Sequence, residues 1–118
     1  MKESEIQKQI LDWLKLQSGG FFFRTNNIGV PLHGESGGYR PSPVKGLADI
    51  IGVFKGHFIA IEVKTRKGKL TANQIEFLNN VIGGGGHAIV ARSLETVIDY
   101  ITHIDKVELK KDDRQLEF

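Results

Sequence analysis

A charged pair interrupts an otherwise apolar segment of the chain. The segment FIAIEVKT, residues 58–65, is rich in β-branched side chains and lacks glycine and proline, which is typical of a β-strand. Side chains two residues apart project from the same face of a strand, so Glu62 and Lys64 lie side by side. Phe58 and Ala60 share that face, and we expect both faces to be buried. A buried charge is costly unless it is paired or binds a metal ion.

Asp49 supplies a partner for these charges if the preceding apolar strand forms a hairpin with this one. We expect a two-residue turn at Gly56 and His57, which pairs Asp49 with Lys64 across the hairpin. Glu62 is then the diagonal neighbour of Asp49, roughly 5–7 Å away on the same face. A register shift of one residue would send Asp49 to the opposite face.

Two adjacent carboxylates and a lysine are suited to hydrolysis of a phosphodiester bond. The carboxylates repel each other unless a hard divalent cation lies between them. Mg²⁺ suits such a site because it accepts one or two carboxylates and keeps several waters, and we expect Mg²⁺ or Mn²⁺ as the cofactor. The cation acidifies a water molecule into a nucleophile, and a nearby lysine orients that water or stabilises the charged transition state.

Two further polar residues are expected to reach this site. Glu5 lies about 100° from Ile6 around the first predicted helix, at the rim of its apolar stripe. Gln74 falls on the apolar face of a later helix, which directs it inward. A capping box with Thr71 would also account for Gln74, so both interpretations stay open.

The hydrophobic pattern predicts the elements that position these residues. We expect the order αβββαβα, a single α/β domain over residues 1–118 with a mixed sheet flanked by helices. Residues 27–46 hold all three prolines and predict a long loop, and residues 105–118 form a charged tail. Helices are expected at 3–18, 71–82 and 94–104, and strands at 21–26, 47–54, 58–65 and 87–92.

Composition excludes several classes of protein. The chain of 118 residues has no cysteine, and therefore no disulfide framework or thiolate metal site. Its polar N-terminus does not resemble a signal peptide, and no apolar run approaches the ~20 residues that cross a bilayer. We expect an intracellular, cytoplasmic protein with no membrane partner. The net charge of +2 does not by itself indicate nucleic acid, but four basic residues cluster at 64–69.

The ordered motifs resemble the PD-(D/E)xK nuclease superfamily. GLAD at 46–49 is followed by EVK at 62–64, and Gln74 comes ten residues after Lys64. With Glu5 on a leading helix, the set is most similar to the virus-type replication-repair nuclease (VRR-NUC) branch, over roughly residues 3–100. Ala48 stands where that family often has proline, at a position that shapes the backbone and supplies no ligand.

The resemblance implies a role for each residue of the set. Asp49, Glu62 and the backbone carbonyl of Val63 would bind the metal, and Glu5 would reach it through water. Lys64 would act on the attacking water. Gln74 would steady Lys64 or a phosphate. The implied catalytic set is Glu5, Asp49, Glu62, Lys64 and Gln74.

The resemblance also implies a substrate and an assembly. Small stand-alone members cut branched DNA, such as four-way (Holliday) junctions or flaps, as homodimers. Basic and amide residues around the long loop and after the third strand are candidate phosphate contacts. These are Arg24, Asn26, Asn27, Arg40, Lys45, Arg66, Lys67 and Lys69.

Three alternatives keep parts of this interpretation. In the first, the charges are purely structural: Asp49 and Lys64 form a cross-strand ion pair, and Glu62 pairs with Arg66 or Lys67. A catalytically inactive module of the same fold would bind DNA without cutting it. In the third alternative, the protein is a nuclease with this site, but its substrate is simple linear DNA.

Overall fold

The computed structural model of the protein describes residues 1–25 and 44–106, together with the backbone of two short segments, 30–31 and 39–40. The predicted α/β class with a mixed sheet is confirmed, and a two-residue ladder lies within the segment predicted as a long loop. The elements are α1 (Glu3–Lys15), β1 (Gly20–Arg24), β2 (Val30–Pro31), β3 (Tyr39–Arg40), β4 (Ile50–Phe54), β5 (His57–Val63), α2 (Ala72–Gly83), β6 (His87–Ala91), α3 (Leu94–Thr102) and a 3₁₀ turn (Ile104–Lys106).

Four strands form the main sheet in the order β1-β4-β5-β6. β4 is antiparallel to both β1 and β5, whereas β6 is parallel to β5 and is reached through α2. Among the described residues, none of the helices has the length and apolar character needed to span a bilayer. β5 is flanked on both sides, so the strand that carries Glu62 is central in the sheet.

Each face of the sheet has its own apolar core. On one face, Ile10 and Leu14 of α1 and Val97 of α3 pack with the odd-numbered residues of β5. On the other face, Leu78 and Ile82 of α2 pack with small residues of β5 and β6. Helix α2 covers only part of this second face, so Phe58 of β5 is 45% exposed and the expectation that both faces are fully buried is wrong there.

The hairpin between β4 and β5 turns one residue earlier than predicted. Lys55 and Gly56 form its two-residue turn, with φ of 48° and 85°, the positive values that such tight hairpin turns require. The predicted turn at Gly56 and His57 is therefore wrong, since His57 already pairs with Phe54. The register moves by two residues, so every side chain keeps its predicted face.

Candidate active site

The corrected register brings the two carboxylates close together. The pairing of β4 with β5 ends at Ile50 and Ile61, and Asp49 and Glu62 are the residues next to that pair. The charge of Asp49 and a hydrogen bond to its carboxyl both act on Glu62. The predicted pairing of Asp49 with Lys64 is therefore wrong. Because the shift is an even number of residues, both carboxylates still lie on the face that α2 covers.

Asp49 is held by contacts to its side chain and its backbone. Its Oδ2 accepts a hydrogen bond from the backbone N–H of Val63 at 2.8 Å. Its carbonyl accepts one from the backbone N–H of Thr25 at 2.9 Å. The buried Thr25 hydroxyl also donates to the carbonyls of Ala48 and Asp49. Thr25 fixes the approach to β4, a role that its sequence position at the end of β1 did not reveal.

The carbonyl of Val63 lies on the same side of β5 as Asp49. The N–H of Lys64 donates a hydrogen bond to the carbonyl of Ala91, so every second residue of β5 directs its backbone N–H and C=O groups towards β6. The N–H of Val63 instead points to Asp49. Since the N–H and C=O of one strand residue face the same neighbour, the Val63 carbonyl also points towards the Asp49 side. This is the position expected of a backbone ligand beside the carboxylate pair.

Glu62 is the most deeply buried acid of the described chain, with 2% of its side chain exposed. Its Oε1 accepts a hydrogen bond from Nε2 of Gln74 at 3.0 Å and lies 4.0 Å from Nζ of Lys64. Its Oε2 is buried, and no N–H or hydroxyl group of the described residues donates a hydrogen bond to it. A buried oxygen without such a donor is unusual and marks a place where a proton or a cation is expected.

Burial raises the pKa of Glu62 to about 8. The charge of Asp49 also raises it, as do a hydrogen bond to the Asp49 carboxyl and the charge of Glu3, whereas Lys64 lowers it. Glu62 is therefore protonated near neutral pH, and its carboxyl group can donate a hydrogen bond to the Asp49 carboxylate. Two ionised carboxylates would have no proton with which to form this bond. A divalent cation would take the place of this proton, since it removes the same repulsion between the carboxylates.

Lys64 lies just beyond the last residue of β5, with its ammonium group turned into the site. Its side chain is only 12% exposed, which is unusual for a lysine. Its aliphatic stem lies near Gly68 of the following loop, where an added Cβ atom would be 3.4 Å from Lys64 Cδ. Lys64 is thus mostly buried, whereas the basic residues Arg66, Lys67 and Lys69 that follow it are exposed.

Gln74 performs both of the functions considered for it. Its Oε1 accepts a hydrogen bond from the N–H of Thr71 at 2.9 Å, which completes the capping box of α2. Its Nε2 donates to Glu62 at 3.0 Å. A primary amide can do both because its two ends have opposite hydrogen-bonding character. The helix cap thus fixes the side chain that holds Glu62.

Gly46 allows α2 to begin beside the carboxylate pair. Its φ is +70°, and a Cβ atom there would lie 2.2 Å from the carbonyl oxygen of Asn73 and 2.6 Å from the backbone nitrogen of Gln74. Only glycine fits both this conformation and this close approach. The first residue of the GLAD motif therefore sets the position of Gln74.

The two acids in the first turn of α1, Glu3 and Glu5, are both exposed. The Oε1 atom of Glu5 accepts a hydrogen bond from the N–H of Lys2 at 3.4 Å. Glu3 is the residue of α1 whose charge raises the pKa of Glu62.

The basic residues expected to contact phosphate are partly described. Arg66, Lys67 and Lys69 are exposed after β5, as are Arg24 and Lys45. Arg92 holds the loop in place, since its Nη1 donates to the carbonyls of Thr65 at 2.7 Å and Gly68 at 2.6 Å. The side chains of Asn26, Asn27 and Arg40 lie outside the described residues.

Two acids face each other at the centre of the site, and within the described ranges no group of three or more His, Cys, Asp or Glu residues could hold a metal ion. Two carboxylates are sufficient for Mg²⁺, which retains several water ligands. Comparison of the chain with protein-family models and with curated proteins gives no match. The resemblance to a nuclease superfamily therefore depends on the motifs themselves.

Proposed function

We propose that this protein is a metal-dependent deoxyribonuclease of the PD-(D/E)xK type, in its VRR-NUC branch. The observation that carries the proposal is the buried Glu62 beside Asp49, with an oxygen, Oε2, that no N–H or hydroxyl group of the described residues reaches. Gln74 and Lys64 lie against its other oxygen. A purely architectural carboxylate would receive hydrogen bonds at both oxygens, whereas here one side of Glu62 is left with a second carboxyl group.

Asp49, Glu62 and the Val63 carbonyl would hold Mg²⁺ or Mn²⁺. The residues fit such an ion because they are hard oxygen donors and because the pKa of Glu62, raised to about 8, reflects a repulsion that a cation would remove. When bound, the cation would neutralise the carboxylates and acidify a water molecule. Thr25 and Gln74 would keep the two carboxylates in position for it.

Lys64 would act on the phosphate and the attacking water. Its ammonium group lies 4.0 Å from Glu62, inside the site and largely removed from solvent. A positive charge held there favours the extra negative charge that develops on a phosphodiester as water attacks. The exposed Arg66, Lys67 and Lys69 would contribute to binding the neighbouring phosphates.

The motif resemblance extends this proposal to branched DNA. Four-way junctions and flaps are the substrates of choice, and paired, symmetric incisions in a junction require two active sites related by a two-fold axis. A homodimer would supply them. Linear duplex DNA is the alternative substrate.

A cleavage assay with two lysine variants tests the proposed function. The purified protein should cut flap or four-way-junction DNA in Mg²⁺ or Mn²⁺, and excess chelator should stop the reaction. Lys64→Ala should abolish cleavage while DNA affinity in a gel shift changes by less than about threefold, since one cation contributes little to the total electrostatic binding. The exposed Lys67 provides a matched control, because Lys67→Ala removes one of several phosphate contacts and should retain cleavage within about threefold of the parent.

Three outcomes would contradict this proposal in different ways. Cleavage by Lys64→Ala at the rate of the parent would leave Lys64 with a structural role. Cleavage in chelator would exclude the metal-dependent mechanism. DNA binding without cleavage of any DNA in either metal would indicate the inactive binding module instead.

A further inference from the structure

One part of the sheet surface is apolar and uncovered. Helix α2 covers β5 and β6, but it leaves the neighbouring part of the same face exposed. Three phenylalanines and a valine lie there, and we refer to them as the aromatic platform. Its residues and exposed fractions are Phe21 (67%), Phe23 (44%), Val53 (42%) and Phe58 (45%).

Strand register places the aromatic platform on the same face as the carboxylate pair. Phe21, Val53 and Phe58 form one row across β1, β4 and β5. Phe23 belongs to the next row towards the site. The row after that contains Asp49 and Glu62, because side chains two residues apart share a face. Successive rows are about 7 Å apart, so the platform begins one row from the candidate active site.

Positive charge borders the platform along the outer edge of β1. A groove of about 600 Å³ runs between α1 and β1, and Lys8, Lys15 and Arg24 line it with Asp12. Lys8 pairs with Asp12 at 2.6 Å, which leaves the charges of Lys15 and Arg24 in excess. β1 is the first strand in the sheet order, so in the described part of the chain this edge is open. Exposed aromatic rings therefore lie beside a cationic border.

We propose that the aromatic platform binds unpaired bases of a DNA strand that leads into the candidate active site. Aromatic rings bind single strands by stacking on bases, while nearby cations bind the phosphates, and base pairs within an intact duplex cannot stack in this way. Phe21 and Phe23 lie side by side, with ring centroids 5.8 Å apart. The inference rests on the proposed function and specifies its substrate: DNA with a single-stranded segment next to the cut.

A second copy of the chain is the other occupant to consider for this face. The exposed area of the four side chains is roughly 300–400 Å². Specific protein interfaces bury about 800 Å² on each partner, so the platform alone is too small. The cationic border also favours a polyanion over an identical, equally basic chain.

Binding measured in chelator tests the platform independently of cleavage. The double variant Phe21→Leu, Phe23→Leu keeps apolar side chains but removes the rings, and Phe21→Tyr, Phe23→Tyr keeps them. For labelled oligothymidylate, the leucine variant should bind at least tenfold more weakly than the parent, because stacking is lost at each of two exposed rings. The tyrosine variant should bind within about threefold of the parent, and duplex affinity should be the same for all three. Melting curves in the same buffer verify that each variant is folded.

Two results would contradict the proposal that the aromatic platform binds unpaired bases. The first is equal affinity of the parent and the leucine variant for oligothymidylate. The second is a parent that sediments as a dimer through this face, shown by dissociation in Phe21→Asp, Phe23→Asp while single-strand affinity stays unchanged. Cleavage decides the proposed function separately. Binding that depends on the rings, without cleavage of any DNA, would support single-strand binding by the platform and contradict the nuclease function. Metal-dependent cleavage, with binding that does not depend on the rings, would support the nuclease function and contradict the role of the platform.

Discussion

Glu62 combines features that a structural carboxylate rarely has. It is buried, one of its oxygens receives no hydrogen bond from an N–H or hydroxyl group of the described residues, and the Asp49 carboxyl lies beside it. Burial and the Asp49 charge together raise the pKa of Glu62 to about 8. The metal-free protein therefore carries an unfavourable interaction at this residue, and such arrangements are concentrated at functional sites.

The stability of the metal-free protein should decrease as pH rises, because of Glu62. The pKa of this carboxyl is about 8 in the folded protein and near 4.5 as an ordinary glutamate, so between these values the folded state binds the extra proton. The contribution of Glu62 to the free energy of unfolding should be highest below about pH 4.5 and should fall by roughly 4 kcal/mol by about pH 8. Glu62→Gln, which cannot titrate, should remove most of this decrease. Urea unfolding in chelator across this pH range measures it.

The exposed Glu5 provides the control for this measurement. Glu5→Gln should keep the pH dependence of the parent, because its side chain lies away from the carboxylate pair. Parallel pH curves for the parent and Glu62→Gln would show that the carboxylate pair is not strained.

The sequence patterns predicted the central residues of the candidate site better than the residues that hold them in place. Asp49, Glu62, Lys64 and Gln74 meet at one end of the sheet because strand alternation and helical phase fix the face of each side chain. The role of Thr25 depends on a contact to β4, distant in sequence, which no local pattern contains. Glu5, which the helical phase placed at the rim of the apolar stripe, is exposed and accepts a hydrogen bond from the backbone of Lys2.

At the scale of elements, the hairpin shows what local sequence can and cannot determine. Hydrophobic alternation predicted both strands, but KGH permits more than one two-residue turn. The register was settled by Lys55, which adopts positive φ although only Gly56 carries the usual signal for it. Because the error was two residues, the predicted set of side chains still converged, although the predicted pairing within it was wrong.

Replacement of Gly46 should disturb the start of α2 and, through it, the site. In Gly46→Ala, a Cβ atom would overlap the backbone of Asn73 and Gln74 at a φ of +70° that disfavours alanine. We expect a loss of roughly 2–4 kcal/mol in the free energy of unfolding, the combined effect of overpacking and backbone strain. Chemical denaturation measures this loss.

Gly83 at the end of α2 is the matched control for Gly46. A Cβ atom at Gly83 would meet nothing within 4 Å, so Gly83→Ala should be neutral or slightly stabilising in the helix. Equal stability of the two alanine variants would show that Gly46 does not fix the position of α2. If Gly46→Ala folds, displacement of Gln74 should also reduce DNA cleavage more than Gly83→Ala does.

At the scale of the whole molecule, the two faces of the sheet have different functions. One face is covered by helices that support the sheet, and the other carries the candidate site. Helices α1 and α3 cover one face of the sheet, and their core holds β5 from behind. The other face carries α2, the carboxylate pair and the aromatic platform in sequence across the strands. Among the described residues, this second face has an uncovered apolar area next to the candidate site, so we expect a ligand to approach there.

Binding of Mg²⁺ or Mn²⁺ should stabilise the whole fold, and the effect should grow with pH. A ligand that binds only the folded state adds about 2.7 kcal/mol at a concentration 100 times its Kd, which corresponds to a rise in Tm of roughly 10 °C for a domain of this size. Protons compete with the cation for Glu62, whose pKa is raised to about 8, so the gain should be larger at about pH 8 than at about pH 5.5.

Asp49→Asn and Glu62→Gln should each lose most of the gain. The exposed Asp99 lies on α3, outside the pair, so Asp99→Asn should retain it. Thermal melts in chelator and in excess metal measure all four proteins. Equal gains in the parent and both site variants would place any metal binding elsewhere, and no gain in the parent would mean that a proton, not a cation, is the native occupant between Asp49 and Glu62.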